Sequence, residues 1–468
     1  METVFLELRM NSVFRFFAGL AVCSVGALCG PGFAGQPSAD WQASWPQWRG
    51  PNGDGVSAQG RPPTEWSETK NVKWKVKVPG AGYATPVIWK DRVFILSAVN
   101  TGRKAERQAP ENSEPARGPG GGGGGRRGGG MSMTPTEIYE FVVICLNRAD
   151  GSTVWTTTVA ELLPHEGYKP NDGSFASVSP ITDGEHVFAS FGSRGLYCLD
   201  MKGKVLWKKD LGDMRIKMGF GEGSSPALHG DTLVVNWDHE GDSFIAAFDK
   251  STGEERWRTP RDEQTTWSTP LIVEVDGVAQ AIVSATDSVR GYDVATGKQV
   301  WESAGLTANV IPSPVTGHGM AYVMSGFRGS SLQAIRLGKN GKLAGTDAIV
   351  WTYDRDTPYV PSPLLYGKRL YFLKSNNPMI TCLDALTGAP RFSEERLEGI
   401  RGVYASIVGA GGSVYVVGRE GTAVVIKDSD RFQVLATNKL DEKFDASPVV
   451  VGNELYLRGQ ENLYCLAE

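Results

Sequence analysis

The sequence predicts an all-β fold in which eight repeats close into a ring, an eight-bladed β-propeller of four-stranded blades. Three observations lead there. A turn followed by a tryptophan recurs, clearest in GYDVATGKQVW at Gly291 to Trp301, and again as FDKSTGEERW to Trp257, LNRADGSTVW to Trp155, LDMKGKVLW to Trp207 and LDALTGAPRF to Phe392. Trp74, Trp351 and Leu435 stand at the same place in weaker copies. A second marker runs in phase: Thr85-Pro86, Ser179-Pro180, Ser225-Pro226, Thr269-Pro270, Ser313-Pro314, Ser362-Pro363, Ser406-Ile407 and Ser447-Pro448, returning every 41 to 49 residues from Pro180 onward. Third, NVKWKVKV at Asn71 to Val78 is an isolated fourth strand ahead of the first full repeat, and the last repeat ends at NLYCLAE with only three. The first strand can complete the last blade and leave the ring no unpaired edge.

Taken in order, residues 1–34 read as a signal peptide. An apolar run from Phe16 to Leu28 follows Arg15 and precedes Gly32-Phe33-Ala34, a small-x-small site for cleavage after Ala34. Glu2 and Glu7 sit awkwardly in such a leader, and a start at Met10 would remove both. Cys23 and Cys29 follow Val22 and Leu28, where a lipoprotein signal wants a small residue. No other segment approaches a membrane span, so the mature chain is expected to be periplasmic or secreted. Residues 35–70 form a Trp- and Pro-rich arm with Trp41, Trp45, Trp48 and Trp66, too aromatic for a free linker and expected to pack along the outside of the ring.

The propeller proper is expected over residues 71–468. Runs such as VFILSAV at Val93, TLVVNW at Thr232, AYVMSG at Ala321 and SVYVVG at Ser413 are β-branched and aromatic, bounded by Gly, Asp and Asn. Each repeat has room for four strands. Gly297 can take positive φ in the turn while a short Asp or Thr side chain bonds the local backbone. In the first repeat a Gly-rich insertion, about 101–135, is expected to be disordered, because glycine recovers no ordering entropy through burial.

Composition narrows the function. A net charge of −4 and a pI near 5.9 give no footprint for nucleic acid. After signal removal only Cys145, Cys198, Cys382 and Cys465 remain, all in one repeat slot beside the position of Ala247. Equivalent slots in different blades lie beyond disulfide reach, so four buried thiols are expected. No CxxC, CxxCH, G-x-S-x-G or Walker motif occurs. GFGEG at Gly219 to Gly223 has the glycine spacing of a phosphate loop but leads into a strand, where a dinucleotide site needs a helix N-terminus.

The D-x-x-T-G-x-x-x-W turns and Ser-Pro markers resemble the PQQ-like, or quinoprotein-type, propeller repeat of quinoprotein alcohol dehydrogenases and BamB-type outer-membrane assembly factors. The resemblance covers roughly Asn71 to Glu468. It implies eight blades with the first strand of each innermost, which sorts the loops onto two faces. The D-x-x-T-G turns and the turns holding His186, His229 and His318 fall on one. The loops before each marker and the hairpin loops after each second strand fall on the other. That second face gathers Tyr83, Phe175, Phe220, Trp267, Tyr359, Tyr404 and Phe444, with Glu222, Asp445, Arg261, Asp262, Glu263, Asn376, Asn377 and the loop WDHEGD, Trp237 to Asp242.

The candidate ligand or partner face is therefore Glu222, Asn236, Trp237, Asp238, His239, Glu240, Asp242, Arg261, Trp267, Tyr359, Tyr404 and Asp445. Asp238, Glu240 and Asp242 alternate like the first calcium ligands of a loop, although Gly241 is misplaced for an EF-hand and His239-Glu240 lacks zinc-protease spacing. Three functions fit. The first is a non-catalytic scaffold for envelope proteins, similar to the BamB type and needing no cofactor. The second is a dehydrogenase, for which the resemblance implies pyrroloquinoline quinone (PQQ) stacked on a Trp, Ca²⁺ on carboxylate and amide oxygens, and an Asp base, with Trp267, Glu222, Asn236 and Asp238 as candidates. Against it, the chain is short and lacks the adjacent Cys-Cys pair of those enzymes. The third is a binder of carbohydrate or another small ligand.

Overall fold

The computed structural model describes residues 38–105 and 134–468. The expected signal peptide and most of the Gly-rich insertion lie outside the described residues. Eight sheets form the ring, and within each the four blade strands run antiparallel to one another in turn. Blades 1 to 8 begin at their innermost strands, Val87–Trp89, Ile181–Thr182, Ala227–His229, Leu271–Val275, Val315–Gly317, Leu364–Tyr366, Val408–Ala410 and Val449–Val451. Blade 8 takes its fourth strand from Val72–Lys77, which pairs with Asn462–Leu466 and closes the ring as the sequence predicts. Second strands are buried almost throughout, as in Thr232–Trp237 and Met320–Ser325, because both their faces pack against neighbouring blades. The hairpin of blade 1 runs further than expected, with Lys104 still paired to Glu137. The only α-helix among the described residues is the short Ala39–Gln42, and no helix there is long and apolar enough to cross a membrane.

Blade-to-blade docking explains the recurring turn and tryptophan. The indole N–H groups of Trp74, Trp155, Trp207, Trp257 and Trp351 donate to Arg148, Met201, Lys250, Val294 and Ala385, carbonyls in the turn of the following blade, at 2.8–3.1 Å. The turn glycine lies flat under the ring. At Gly297, with φ +73°, a Cβ would sit 2.5 Å from the Trp257 indole. Asp249 and Asp293 fix their turns by accepting the amides of Thr252 and Thr296.

Phe392 fills the slot in blade 6 without an N–H to donate, and two further copies depart from this plan. Trp301 is buried and donates instead to Gln280 of its own blade, 2.9 Å. Its dock is taken by the longer turn of blade 5, which adds the strand Gly341–Lys342 in parallel to the edge of blade 4 and packs Leu343 and Ala348 against the ring. In blade 7 the anchor slot belongs to Ala436, not to Leu435. A β-bulge precedes the anchor in every blade, so Ala436 faces Val425 as Trp257 faces Ala247, while Leu435 falls on the bulge and is 41% exposed. The sequence pattern slips by one because Ala lacks the ring that marks the slot elsewhere.

The four cysteines fill the small position opposite the anchors and are free and buried, as expected. Burial pushes each thiol up to about 12, well above reactive values.

The arm corrects the expectation that it runs along the outside. Trp45 exchanges backbone bonds with Ile88 of blade 1, and Pro46 accepts from Thr182 of blade 2, 2.9 Å. Arg49 is buried and donates to the carbonyls of Ile407, 2.5 Å, and Pro363, in blades 7 and 6. Val56–Ser57 then adds in parallel to the innermost strand of blade 7. Residues 45–57 thus cross the axial channel and cover inner strand edges that would otherwise be unpaired. Only the later part lies outside, where Trp66 stacks on Tyr415 and takes Asn438 as acceptor for its backbone N–H, 2.8 Å.

Replacing Trp257 with Ala should cost on the order of 3 kcal/mol, and Gly297→Ala should also destabilise by clash and strained φ. Leu435→Ser should stay within about 0.5 kcal/mol. Thermal midpoints of the three variants test the docking and the reassigned slot. The turn carboxylates add a pH dependence. The Arg256 hydrogen bond and the Thr252 amide lower Asp249 from 3.8 to about 2. Its folded pKa is depressed, so its contribution is present above 3.8 and is lost as pH falls through about 2. Asp249→Asn should flatten the fall of the melting temperature across that window.

Candidate functional site

At the inner end of each blade the marker residues touch. The backbone N–H of Thr85 donates to Ser179 Oγ, Ser179 to Ser225, Ser225 to Thr269, Thr269 to Ser313, Ser313 to Ser362, Ser362 to Ser406 and Ser406 to Ser447, all at 2.9–3.0 Å. Ser447 N–H closes the circle on Thr85 Oγ1 at 3.2 Å. A hydroxyl at the marker supplies the acceptor. The proline after it in seven of the eight needs no partner of its own, because it has no N–H. Each hydroxyl accepts one bond, and none of the eight donates its own proton to another described protein group.

Above this ring lies a cavity of about 330 Å³ on the propeller axis. Its walls are Tyr83, Phe220, Trp267, Phe327, Tyr359 and Tyr404, most contributed by residues just before the markers. Trp267 donates its indole N–H to Gly221, 2.6 Å, and meets Phe220 edge-on. Phe327 and Tyr359 stack with centroids 4.7 Å apart. The arm bonds residues just after the markers, below the ring, and Trp48 lines the cavity from there as its floor. Residues 163–177, the loop before blade 2, lean over the mouth. Glu166 of this loop accepts from Ile216, 3.0 Å, and Asp172 accepts from Tyr404 of the loop before blade 7, 2.9 Å.

The cavity's charges are paired. Glu222 takes Arg194 at 2.7 Å together with the N–H and hydroxyl of Ser193. Asp172 takes Lys169 at 2.7 Å, and Lys169 also lies 5.2 Å over the Phe220 ring. Asp445 takes Arg419 at 2.6 Å, whose guanidinium rests 3.7 Å over Tyr404. Burial pushes the Asp445 carboxyl up against the opposing pull of Arg419. Burial, helped by Asp445, raises the Tyr83 phenol to about 12.

Of the residues singled out from the sequence, Tyr83, Phe220, Glu222, Trp267, Tyr359, Tyr404 and Asp445 line this cavity. Phe175 and Phe444 are buried plugs between blades. Asp238 turns inward, where Arg261 grips both carboxylate oxygens at 2.7 and 3.0 Å with Thr266 and Asn236 alongside. Both side chains are wholly buried, a partnership that holds a loop. Trp237 stacks on Phe244 in the core. His239 accepts the Arg215 amide, 3.0 Å, Glu240 accepts the Thr265 hydroxyl, 2.9 Å, and Asp242 is exposed. The one group of three acidic or histidine side chains within 4.8 Å of one another, among the described residues, is Asp183, Glu185 and His186 on the opposite face, where the Lys250 ammonium already lies 3.0 Å from Asp183.

A family model described as outer membrane protein assembly factor BamB matches residues 140–304, 201–347 and 286–466. The chain belongs to this BamB-like family of PQQ-type repeat propellers. No curated protein matches the sequence significantly. Among solved structures, the quinohemoprotein alcohol dehydrogenase ADHIIG from Pseudomonas putida HK5 superposes with a TM-score of 0.53 at 10% identity, over 91% of this chain and 80% of that one. BamB from Moraxella catarrhalis aligns at 14% identity and TM-score 0.39, over 62% of this chain and 96% of its own. A europium-containing methanol dehydrogenase aligns at 12% and 0.46, over 93% and 99%. Likeness at these identities is likeness of fold.

The dehydrogenase reading of the sequence would place a quinone and a calcium ion on this face. The candidate ligands do not fit the ion. Glu222 is committed to Arg194 and Ser193, and Asp238 and Asn236 are sealed around Arg261. A cation is already in place at each carboxylate, and it is a guanidinium. Sequence reasoning missed Trp48, Lys169, Asp172 and Phe327. The last three sit in the loop classes already assigned to this face, so topology could have found them; for Trp48 no signal exists, because no repeat rule governs the arm.

Ser225→Ala removes the acceptor of the buried Ser179 amide and should cost about 1–3 kcal/mol. Hydrogen exchange at Ser179 should accelerate, with amides of the distant blade 6 unaffected.

Proposed function

We propose that this protein is an exported, non-catalytic binding propeller that presents its cavity face to a component of the cell envelope, the role named in its family's description as an assembly factor. The observation that carries this reading is the state of the charges. Glu222, Asp172 and Asp445 each face an internal cation, which leaves aromatic surface rather than an activated acid–base pair turned toward a visitor. The rim adds Met218, 72% exposed and held at φ +53° in the loop before blade 3. A non-glycine residue in that region costs about 1–3 kcal/mol and persists where the surroundings enforce it. A flexible thioether offered this way suits a protein contact.

Capture of envelope components on the immobilised mature protein should fall at least tenfold with Met218→Asp, with an unchanged melting temperature. Equal recovery by the variant would sink the reading. Incubation with PQQ and Ca²⁺ should leave no retained quinone absorbance; a retained spectrum with a raised melting temperature would reverse the assignment in favour of a dehydrogenase.

A further inference from the structure

The axial cavity is more selective than a docking rim requires. Thr85, Ser179, Ser225, Thr269, Ser406 and Ser447 line its base, each with a lone pair used and an O–H proton unspent. Three carboxylates, Glu222, Asp172 and Asp445, supply acceptors on the walls, and Lys169 is the one cationic side chain among the lining residues. Between them stand flat aromatic faces. A hydrocarbon would leave buried O–H donors without acceptors. An anion would find no free cation, because Arg194, Lys169 and Arg419 are each taken by a carboxylate, and a cation would find no free carboxylate. The chemistry that satisfies base and walls together is a neutral molecule with many hydroxyls and flat C–H faces.

We propose that the axial cavity binds a neutral saccharide, whose hydroxyl oxygens accept from the marker ring, whose hydroxyl protons go to the wall carboxylates, and whose ring faces lie on Trp267, Tyr359 and Trp48. The volume of about 330 Å³ is at the small end of ligand pockets, about 300–1,000 Å³, which suits a mono- or disaccharide unit. Trp48 and the arm close the channel below, so a glycan would enter by its end and could not thread through. This inference does not depend on the partner proposed for the rim.

The test is a titration of the isolated mature protein with glucose, galactose, mannose, N-acetylglucosamine, cellobiose and maltose, followed by melting temperature and by calorimetry. At least one should raise the midpoint with concentration. Glucuronate, tested against glucose, should bind at least tenfold more weakly, because its charge would be desolvated with no free cation to meet it. Trp267→Ala should weaken the best sugar at least tenfold; should that variant fail to fold by circular dichroism, Tyr359→Ala takes its place. The proposal is overturned if no neutral sugar shifts the midpoint, if glucuronate matches its neutral counterpart, or if the folded cavity variant binds like the parent. The titration needs no partner, so its failure leaves the rim reading standing, and unchanged capture by Met218→Asp leaves the cavity reading standing.

Discussion

Eight backbone amides and eight hydroxyls, joined head to tail around the axis, are the constraint on which the propeller depends. Each bond is modest, about 1 kcal/mol net. The larger effect is geometric. Every amide lies where only the next blade's hydroxyl can satisfy it, so a blade that shifts leaves two buried groups unpaired. The circle sets how close the inner strands approach, and the outer tryptophans then lock the angle between blades through their turn carbonyls. One device works at the axis and the other toward the rim of the ring.

The same circle shapes the site. Residues before the markers rise above it and carry the aromatic walls, whereas residues after it descend to meet the arm. Accepting an amide uses one lone pair of each hydroxyl and leaves its proton free for a ligand at the six that line the cavity. A structural bond thereby creates a functional surface. Neutralising pairs such as Glu222 with Arg194 and Asp445 with Arg419 keep net charge out of a partly dry chamber, where an unpaired carboxylate would be costly. The first of them also occupies Glu222, a residue the dehydrogenase reading assigned to calcium.

What the sequence by itself determined were the features written in neighbouring residues: strand alternation, the Asp-x-x-Thr-Gly turns, the phase of eight markers, the closing strand, the small cysteine slot and the face on which the unusual loops gather. These follow from short-range sterics and hydrogen bonding, which a local pattern records. Where a copy lost its marking residue, as at Ala436, or where a longer turn displaced the dock, as beside Trp301, the pattern misled by one position or one partner. Only the tertiary structure decided that the marker hydroxyls meet in a circle, that Asp238 faces Arg261 instead of a ligand, and that Trp48 floors the cavity. Arg49 reaches the carbonyl of Ile407 across 358 residues of chain, and the arm obeys no repeat. Contacts of that kind depend on ring closure, which brings together residues whose identities carry no local trace of one another.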